Sequence, residues 1–376
     1  MLAILLLCGL LGCMRAEDVP AGTEADAPSP SPTNRALVTP PTPEPSDART
    51  PEPTPEQTPD PTPEPTPQRS RWTLSFAGDC TIGTLHEWQD TPTRNNMLAV
   101  MNGDWSYPFS GVSEVFLNDD FTMVNLEGAF TLRSEPAAKT YRFRAPPEAA
   151  QCLTLGGVEA VTLANNHSGD YRAEGFQDTK DTLDTLGVLW ADAENVLIAK
   201  LPDDGPRLGV IAFSCVEIDL YAGDVDAYMR RVEPLHESCM ESGCDLVVAF
   251  LHWGVEYRTE PERWMVEFAH RLAELGCDAV IGSHPHVLQC AEVYAGVPIV
   301  YSLGNFCFGG NSGPEDTDSA ILQLPVLRTD GGFSFGEAVF LPCCISSASG
   351  YNDFRPRLYA PGEPEYERIL ERLEIP

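Results

Sequence analysis

The chain is short of positive charge. Only 24 of its 376 residues are Lys or Arg, against 56 Asp or Glu, and the formal net charge is −32. That argues against nucleic acid as a partner, because phosphate backbones are held by clustered Lys and Arg. It argues equally against docking on an anionic lipid surface. Long apolar runs are missing too. Leu2–Gly12 is an apolar run of about eleven residues, well below the ~20 that cross a bilayer as a helix. The twelve cysteines include no Cys-x-x-Cys pair, so a cysteine-based zinc site is not expected. Histidine is scarce, with seven in all, which makes the place of each one informative.

Proline, by contrast, is abundant and confined. Of 34 prolines, Pro20 and fifteen more between Pro28 and Pro67 fall near one end, in repeats such as Thr50-Pro51-Glu52-Pro53. Such a stretch buries no core and reads as an extended, solvated tether. Residues 1–70 carry ten acids and four bases, a net −6, so −26 belongs to the remainder. The expected organisation is a signal segment at 1–12, a tether at 13–70 and one domain at 71–376. Its core is expected at about 72–356, with a terminal helix at about 363–374. Leu10-Leu11-Gly12-Cys13 resembles a bacterial lipobox, although no Lys or Arg precedes the run. The resemblance implies lipidation of Cys13 and a place on the outer face of the cytoplasmic membrane, or else secretion after an ordinary signal peptide. Some forty tether residues at ~3.1 Å each would hold the domain on the order of 100 Å from that membrane. Cys215, Cys277 and Cys290 lie in or beside apolar runs and read as small core residues. Cys239 and Cys244 flank a short loop.

Within the domain, short apolar runs alternate with helix-like stretches such as Arg263–Leu275, the pattern of an α/β fold. Each run gives way to polar residues of a particular kind. Trp72–Ala77 leads into Gly78-Asp79, and Phe121–Val124 into Asn125-Leu126-Glu127. Val158–Ala164 leads into Asn165-Asn166-His167. Leu246–Leu251 is succeeded by His252-Trp253-Gly254-Val255-Glu256, and Ala279–Ile281 by Gly282-Ser283-His284-Pro285-His286. Ile299–Leu303 runs into Gly304-Asn305-Phe306. In α/β sheets, sites form in the crevice at the carboxyl ends of strands. Six such ends here would collect carboxylates, amides and His167, His252, His284 and His286. His86, His236 and His270 fall elsewhere, and His270 is expected in packing or at the surface. The mixture of oxygen and nitrogen donors suits zinc, manganese or iron rather than calcium. In an extended His284-Pro285-His286, alternate residues would point the same way and converge on one centre.

These six ordered motifs resemble the bacterial CapA/PgsA family of poly-γ-glutamate capsule synthesis proteins, within the metallophosphatase (calcineurin-like) superfamily. The resemblance runs from about Trp72 to about Pro356. It implies a four-layer αββα sandwich with mixed sheets and two divalent metal ions at one edge. Asp79 and His286 would then hold the first ion, and Asn166, His252 and His284 the second, with Glu127 bridging. His167 would be the general acid, oriented by Asp170. Asn125, Asn165, Glu256 and Asn305 would support the ligands or face substrate. Three positions depart from the pattern. Thr81 stands where the superfamily has a His, Glu127 where the bridging residue is usually Asp, and Arg172 where the family usually has Gly.

The activity so implied is metal-assisted hydrolysis at phosphorus, acting on a phosphorylated or anionic envelope polymer. The alternative is a non-hydrolytic accessory to polymer synthesis or export, with capsule-synthesis subunits as partners. The charge of −26 opposes that alternative, because a polyglutamate chain would be repelled except at the metal or a local Arg patch.

Overall fold

A computed structural model describes residues 69–91, 93–216 and 223–374. The apolar run Leu2–Gly12, Cys13 and the proline-rich repeats lie outside the described residues.

The backbone builds two large sheets that share one core, beside a small three-stranded sheet of Thr84–Leu85, Phe143–Ala145 and Ala129–Phe130. In the first, β1 (Arg71–Thr81) runs parallel to β2 (Phe121–Leu126), which pairs with β3 (Ala160–Thr162) and then Leu189–Ala191. The second sheet places β4 (Arg207–Ser214), β5 (Leu246–His252), β6 (Ala279–Ser283) and β7 (Val297–Val300) side by side and parallel. Antiparallel Leu197–Lys200 and Ala291–Tyr294 complete its edges. The chain then returns to the first sheet. There β8 (Asn305–Phe308) pairs parallel with the end of β1, and β9 (Asp318–Thr329) pairs antiparallel along its length. Gly332–Phe335, Val339–Cys344 and Arg357–Leu358 extend that side. Both sheets are therefore mixed or edged by antiparallel strands, as expected.

Strand periodicity explains the layering. Successive residues of a strand face opposite ways, and where both faces are covered a central strand such as β5 reads as a near-continuous apolar run. Val248 and Phe250 of β5 face inward, joining Leu74, Phe76, Met123, Val210 and Leu322 between the sheets. Val247, Ala249 and Leu251 face outward, onto α3 (Val225–Glu241) and α4 (Arg263–Leu275). Helix α4 presents Met265, Phe268, Ala269 and Leu272 to them at intervals of three and four, one apolar stripe of a helix. On the far side of the first sheet, Val124, Leu126 and Val161 pack with Leu153 and Leu183. Those two come from helices α1 (Gln151–Gly156) and α2 (Arg172–Leu186). The order is helices, sheet, sheet, helices, the four-layer αββα sandwich. A terminal helix, Pro364–Leu373, buries Ile369 and Leu373.

Candidate metal centre

All six polar strand ends meet at one edge of the sandwich. The meeting is possible because backbone approaches backbone. Asp79 N–H donates to Gly304 O at 2.9 Å, and a side chain at Gly78 would bring its Cβ within 2.0 Å of that oxygen. Gly78 is therefore required by close approach. It lets the turn between β7 and β8 cross from the second sheet to the first beside Asp79.

The donors converge on one region. His252 Nε2 lies 3.0 Å from Asn166 Oδ1, 3.2 Å from His284 Nδ1 and 3.6 Å from Glu127 Oε1. Asp79 Oδ2 lies 3.3 Å from His286 Nδ1, and its Oδ1 lies 3.9 Å from His252 Nδ1. One ligand atom each from Glu127, His284 and His286 fall within 4.8 Å of one another. Asp79, Glu127, His252, His284 and His286 are all buried. His167 stands beside them, its Nδ1 2.9 Å from Asp170 Oδ2.

Supporting contacts hold these groups in place. Asn125 donates to Asp79 Oδ1 at 2.7 Å and accepts from Asn165 at 2.9 Å. Asn165 in turn accepts the His167 backbone N–H at 3.0 Å. Asn305 Oδ1 lies 2.9 Å from His286 Nδ1. Glu256, by contrast, is exposed, and its charge reaches Glu127 and His286 only through space. Four partners are not visible from sequence. Thr81 Oγ1 sits 3.5 Å from Glu127 Oε2, so the residue replacing the expected His contacts the bridging position. Ser283 Oγ lies 3.0 Å from His252 Nδ1. Lys139 Nζ lies 2.7 Å from Asp170 Oδ1 and donates to Asn166 O. Phe143 packs its ring 4.6 Å from that of His167 and donates its N–H to Asp170 at 2.6 Å. Only Ser283 lies within one of the six motifs.

One expectation fails. The segment His284-Pro285-His286 is not extended. His284 has φ 95° and His286 φ 59°, left-handed values that cost non-glycine residues of order 1–3 kcal/mol each. The two rings reach one centre, with centroids 5.8 Å apart, through a strained turn and not through strand alternation. His270 and His86 lie outside the cluster and are held by packing and hydrogen bonds of their own. His270 stacks on Tyr294 at 3.7 Å and bonds Glu292 at 2.7 Å. His86 bonds the Tyr171 hydroxyl at 2.9 Å.

Burial and mutual charge shift the titratable groups of this cluster. Burial, then the charge of Asp79, raise Glu127 to about 8. Burial would raise Asp79 too, but the hydrogen bond and charge of His286, with His252 and Asn125, lower it to about 2. Burial opposes protonation of His286, yet Glu127 and Asp79 raise it to about 9. Burial and the charge of His286 hold His284 down at about 4, and burial and His284 hold His252 well below its usual value. Glu127 Oε1 is buried without a hydrogen-bond donor. Lone pairs from two neutral imidazoles, an amide oxygen and an unpartnered carboxylate oxygen thus face one region. That donor set fits divalent cations of the zinc, manganese or iron type.

Residues 73–310, which include every ligand-type side chain above, match the family described as bacterial capsule synthesis protein PGA_cap. Over 246 residues the chain is 29% identical to the capsule biosynthesis protein CapA of Bacillus anthracis, covering 60% of this chain and 59% of that one. Over 239 residues it is 29% identical to the PGA biosynthesis protein CapA of Bacillus subtilis, covering 60% and 62%. The chain thus spans about three fifths of the length of these relatives. A crystal structure of the calcineurin-like phosphoesterase YfkN from Bacillus subtilis aligns with a TM-score of 0.43 at 13% identity, over 77% of this chain and 95% of that one. The match over 73–310 takes in more than half of the sequence, and the chain belongs to the PGA_cap family of bacterial capsule synthesis proteins.

Proposed function

We propose that the domain is a metal-dependent phosphoester hydrolase acting on a phosphorylated or anionic polymer of the cell envelope. The observation that carries this reading is the convergence of Asp79, Glu127, Asn166, His252, His284 and His286 beside the His167–Asp170 pair. Asp79 and His286 would hold one divalent ion, and Asn166, His252 and His284 another, with Glu127 between them. Bound, such ions supply Lewis acidity and lower the pKa of water toward ~7.

The chain's own residues do the rest. Asp170 fixes His167 through Nδ1, which leaves Nε2 as the atom that hands a proton to a leaving oxygen. Lys139 and the Phe143 N–H hold Asp170 against rotation. Burial lowers the His167 pKa despite Asp170, so its protonated form is a stronger acid than free imidazole. The Phe143 ring covers one face of His167 and limits water there.

The test is reconstitution of the purified chain with Mn²⁺ or Zn²⁺ and assay on aryl phosphates and envelope phosphoesters. Activity that depends on the added metal is expected. Full activity in an Asp79→Ala, His167→Ala double variant would overturn the reading.

A second reading has its own support. The Bacillus relatives carry names of capsule and PGA biosynthesis, not of hydrolysis. The chain would then be an accessory to poly-γ-glutamate synthesis or export, working with capsule-synthesis subunits. Polymer binding that survives metal removal would favour it. Under either reading we place the domain outside the cytoplasmic membrane, anchored through a lipidated Cys13 and the proline-rich tether. Globomycin-sensitive signal-peptide processing and mass analysis of Cys13 would test that placement.

A further inference from the structure

Four helices of the domain end in the same way. In each, a residue with positive φ comes after the helix, and the next N–H reaches back five residues to a carbonyl. This is the Schellman closure, in which the two joined residues also touch through their side chains. The joined pairs are Leu153 with Val158 at 2.9 Å, Leu183 with Val188 at 3.0 Å, and Leu272 with Cys277 at 3.0 Å. In the fourth, at the end of α3, Cys244 N–H donates to Cys239 O at 3.2 Å across Gly243, φ 72°. Three closures thus put a large aliphatic residue at the first position, and this one puts cysteine at both.

The two thiols are side by side. Each lies within hydrogen-bonding reach of the other. Both also point at Gly209 in β4. A Cβ there would lie 2.8 Å from Cys239 Sγ and 3.0 Å from Cys244 Sγ, so the missing side chain is what houses the sulfur pair in an otherwise packed strand. A disulfide needs Cα atoms about 4.4–6.8 Å apart, and a direct backbone bond between the two residues keeps them in that reach. Cys239 is fully buried and Cys244 is 9% exposed.

We propose that Cys239 and Cys244 form a disulfide that staples the end of α3 to the start of β5, the strand whose far end carries His252. The oxidant is an external disulfide, either a small-molecule one or that of a thiol–disulfide oxidoreductase. Cys244, the less deeply buried partner, loses its proton and attacks one sulfur, releasing the first external thiol. Cys239 then attacks the Cys244 sulfur and releases the second. Two protein thiols are oxidised, and one external disulfide is reduced to two thiols, which carry the two protons. Arg207 beside Cys244 favours its thiolate, although burial holds the thiol above its ordinary value.

Peptide mapping decides it. The full chain is equilibrated with glutathione disulfide, denatured with iodoacetamide and without reductant, and cleaved after glutamate, which cuts at Glu241 between the two cysteines. The expected result is one species joining the Cys239 and Cys244 peptides, resolved into two by reductant. Alkylation of both cysteines, glutathione retained on either, or a bond from either to Cys277 would each overturn the proposal. A second measurement covers the staple itself. Reductant is expected to lower the melting temperature of the wild-type chain by about 4 °C and to leave a Cys239→Ala, Cys244→Ala variant unmoved. An equal shift in both proteins would assign the effect elsewhere and overturn the stapling role.

Discussion

The two sheets contribute different chemistry to the same edge. The first supplies oxygen: Asp79 from β1, Glu127 after β2 and Asn166 after β3. The second supplies nitrogen: His252 ends β5, and His284 and His286 come after β6. Neither sheet alone presents a mixed donor set. The site exists only where the two pack, so an ion held by both would also hold them together. Metal affinity and the stability of the sheet–sheet interface are then one linked quantity.

The sharpest way to break this comparison is to remove one ligand from each side. Asp79→Ala and His284→Ala should each lower metal affinity more than ~100-fold, since loss of a supporting partner alone costs 10–100-fold. Metal content after dialysis, measured by mass spectrometry, checks it. Full retention in either variant would show that the two sheets do not share the site. Chelation should likewise lower the melting temperature of the wild-type chain, by the equivalent of about 2.7 kcal/mol for an ion present at a hundred times its Kd, and should leave both variants unmoved.

His167→Ala tests chemistry without touching either donor set. Activity should fall about 10²–10⁴-fold while metal content stays at the wild-type level. Supporting residues come next in size. Ser283→Ala frees His252 on the nitrogen side and Asn125→Ala frees Asp79 on the oxygen side. Each should weaken metal binding about 10–100-fold, as read by competition with a chelating dye.

The smallest effect concerns the opposite end of the first sheet. Burial raises Asp119 to about 6 and Glu159 to about 7, with the charge of Asp120 adding to the first and that of Asp119 to the second. A carboxyl with a raised folded-state pKa contributes stability below its unfolded value near 4, and that stability is lost as pH rises through the folded value. Between pH 8 and pH 5 the gain on acidification should be on the order of 1 kcal/mol, discounted for solvent screening. Asp119→Asn with Glu159→Gln should flatten that part of the denaturation profile relative to wild type.

Much of the fold and site is legible in the sequence, because apolar runs and the polar residues after them are local patterns. Asp79, Glu127, Asn166, His252 and His284 can each be placed at a strand end from period and composition. The sandwich comes from the resemblance those motifs carry. The contacts that escape depend on tertiary register. Thr81 meets Glu127 across 46 positions and Ser283 meets His252 across 31. Lys139 reaches Asp170 from a loop with no periodic signal. The turn at His284 and His286 reads as extended because spacing alone cannot distinguish a strand from two left-handed residues flanking a proline. Cysteine pairing is equally silent until the Schellman closure shows two thiols over one glycine.

The return of the chain to its first sheet has a kinetic consequence. Strand β1 pairs with β9 from Arg71↔Leu327 to Phe76↔Leu322, so one edge of the central strand stays open until residues near the far end of the chain have been made. Such non-local pairing is slow, and it leaves an apolar strand edge exposed while synthesis proceeds. Truncation before Asp318 would remove the partner of β1 along with the three strands that extend its side of the sheet, and the shortened chain should aggregate instead of folding into a smaller domain.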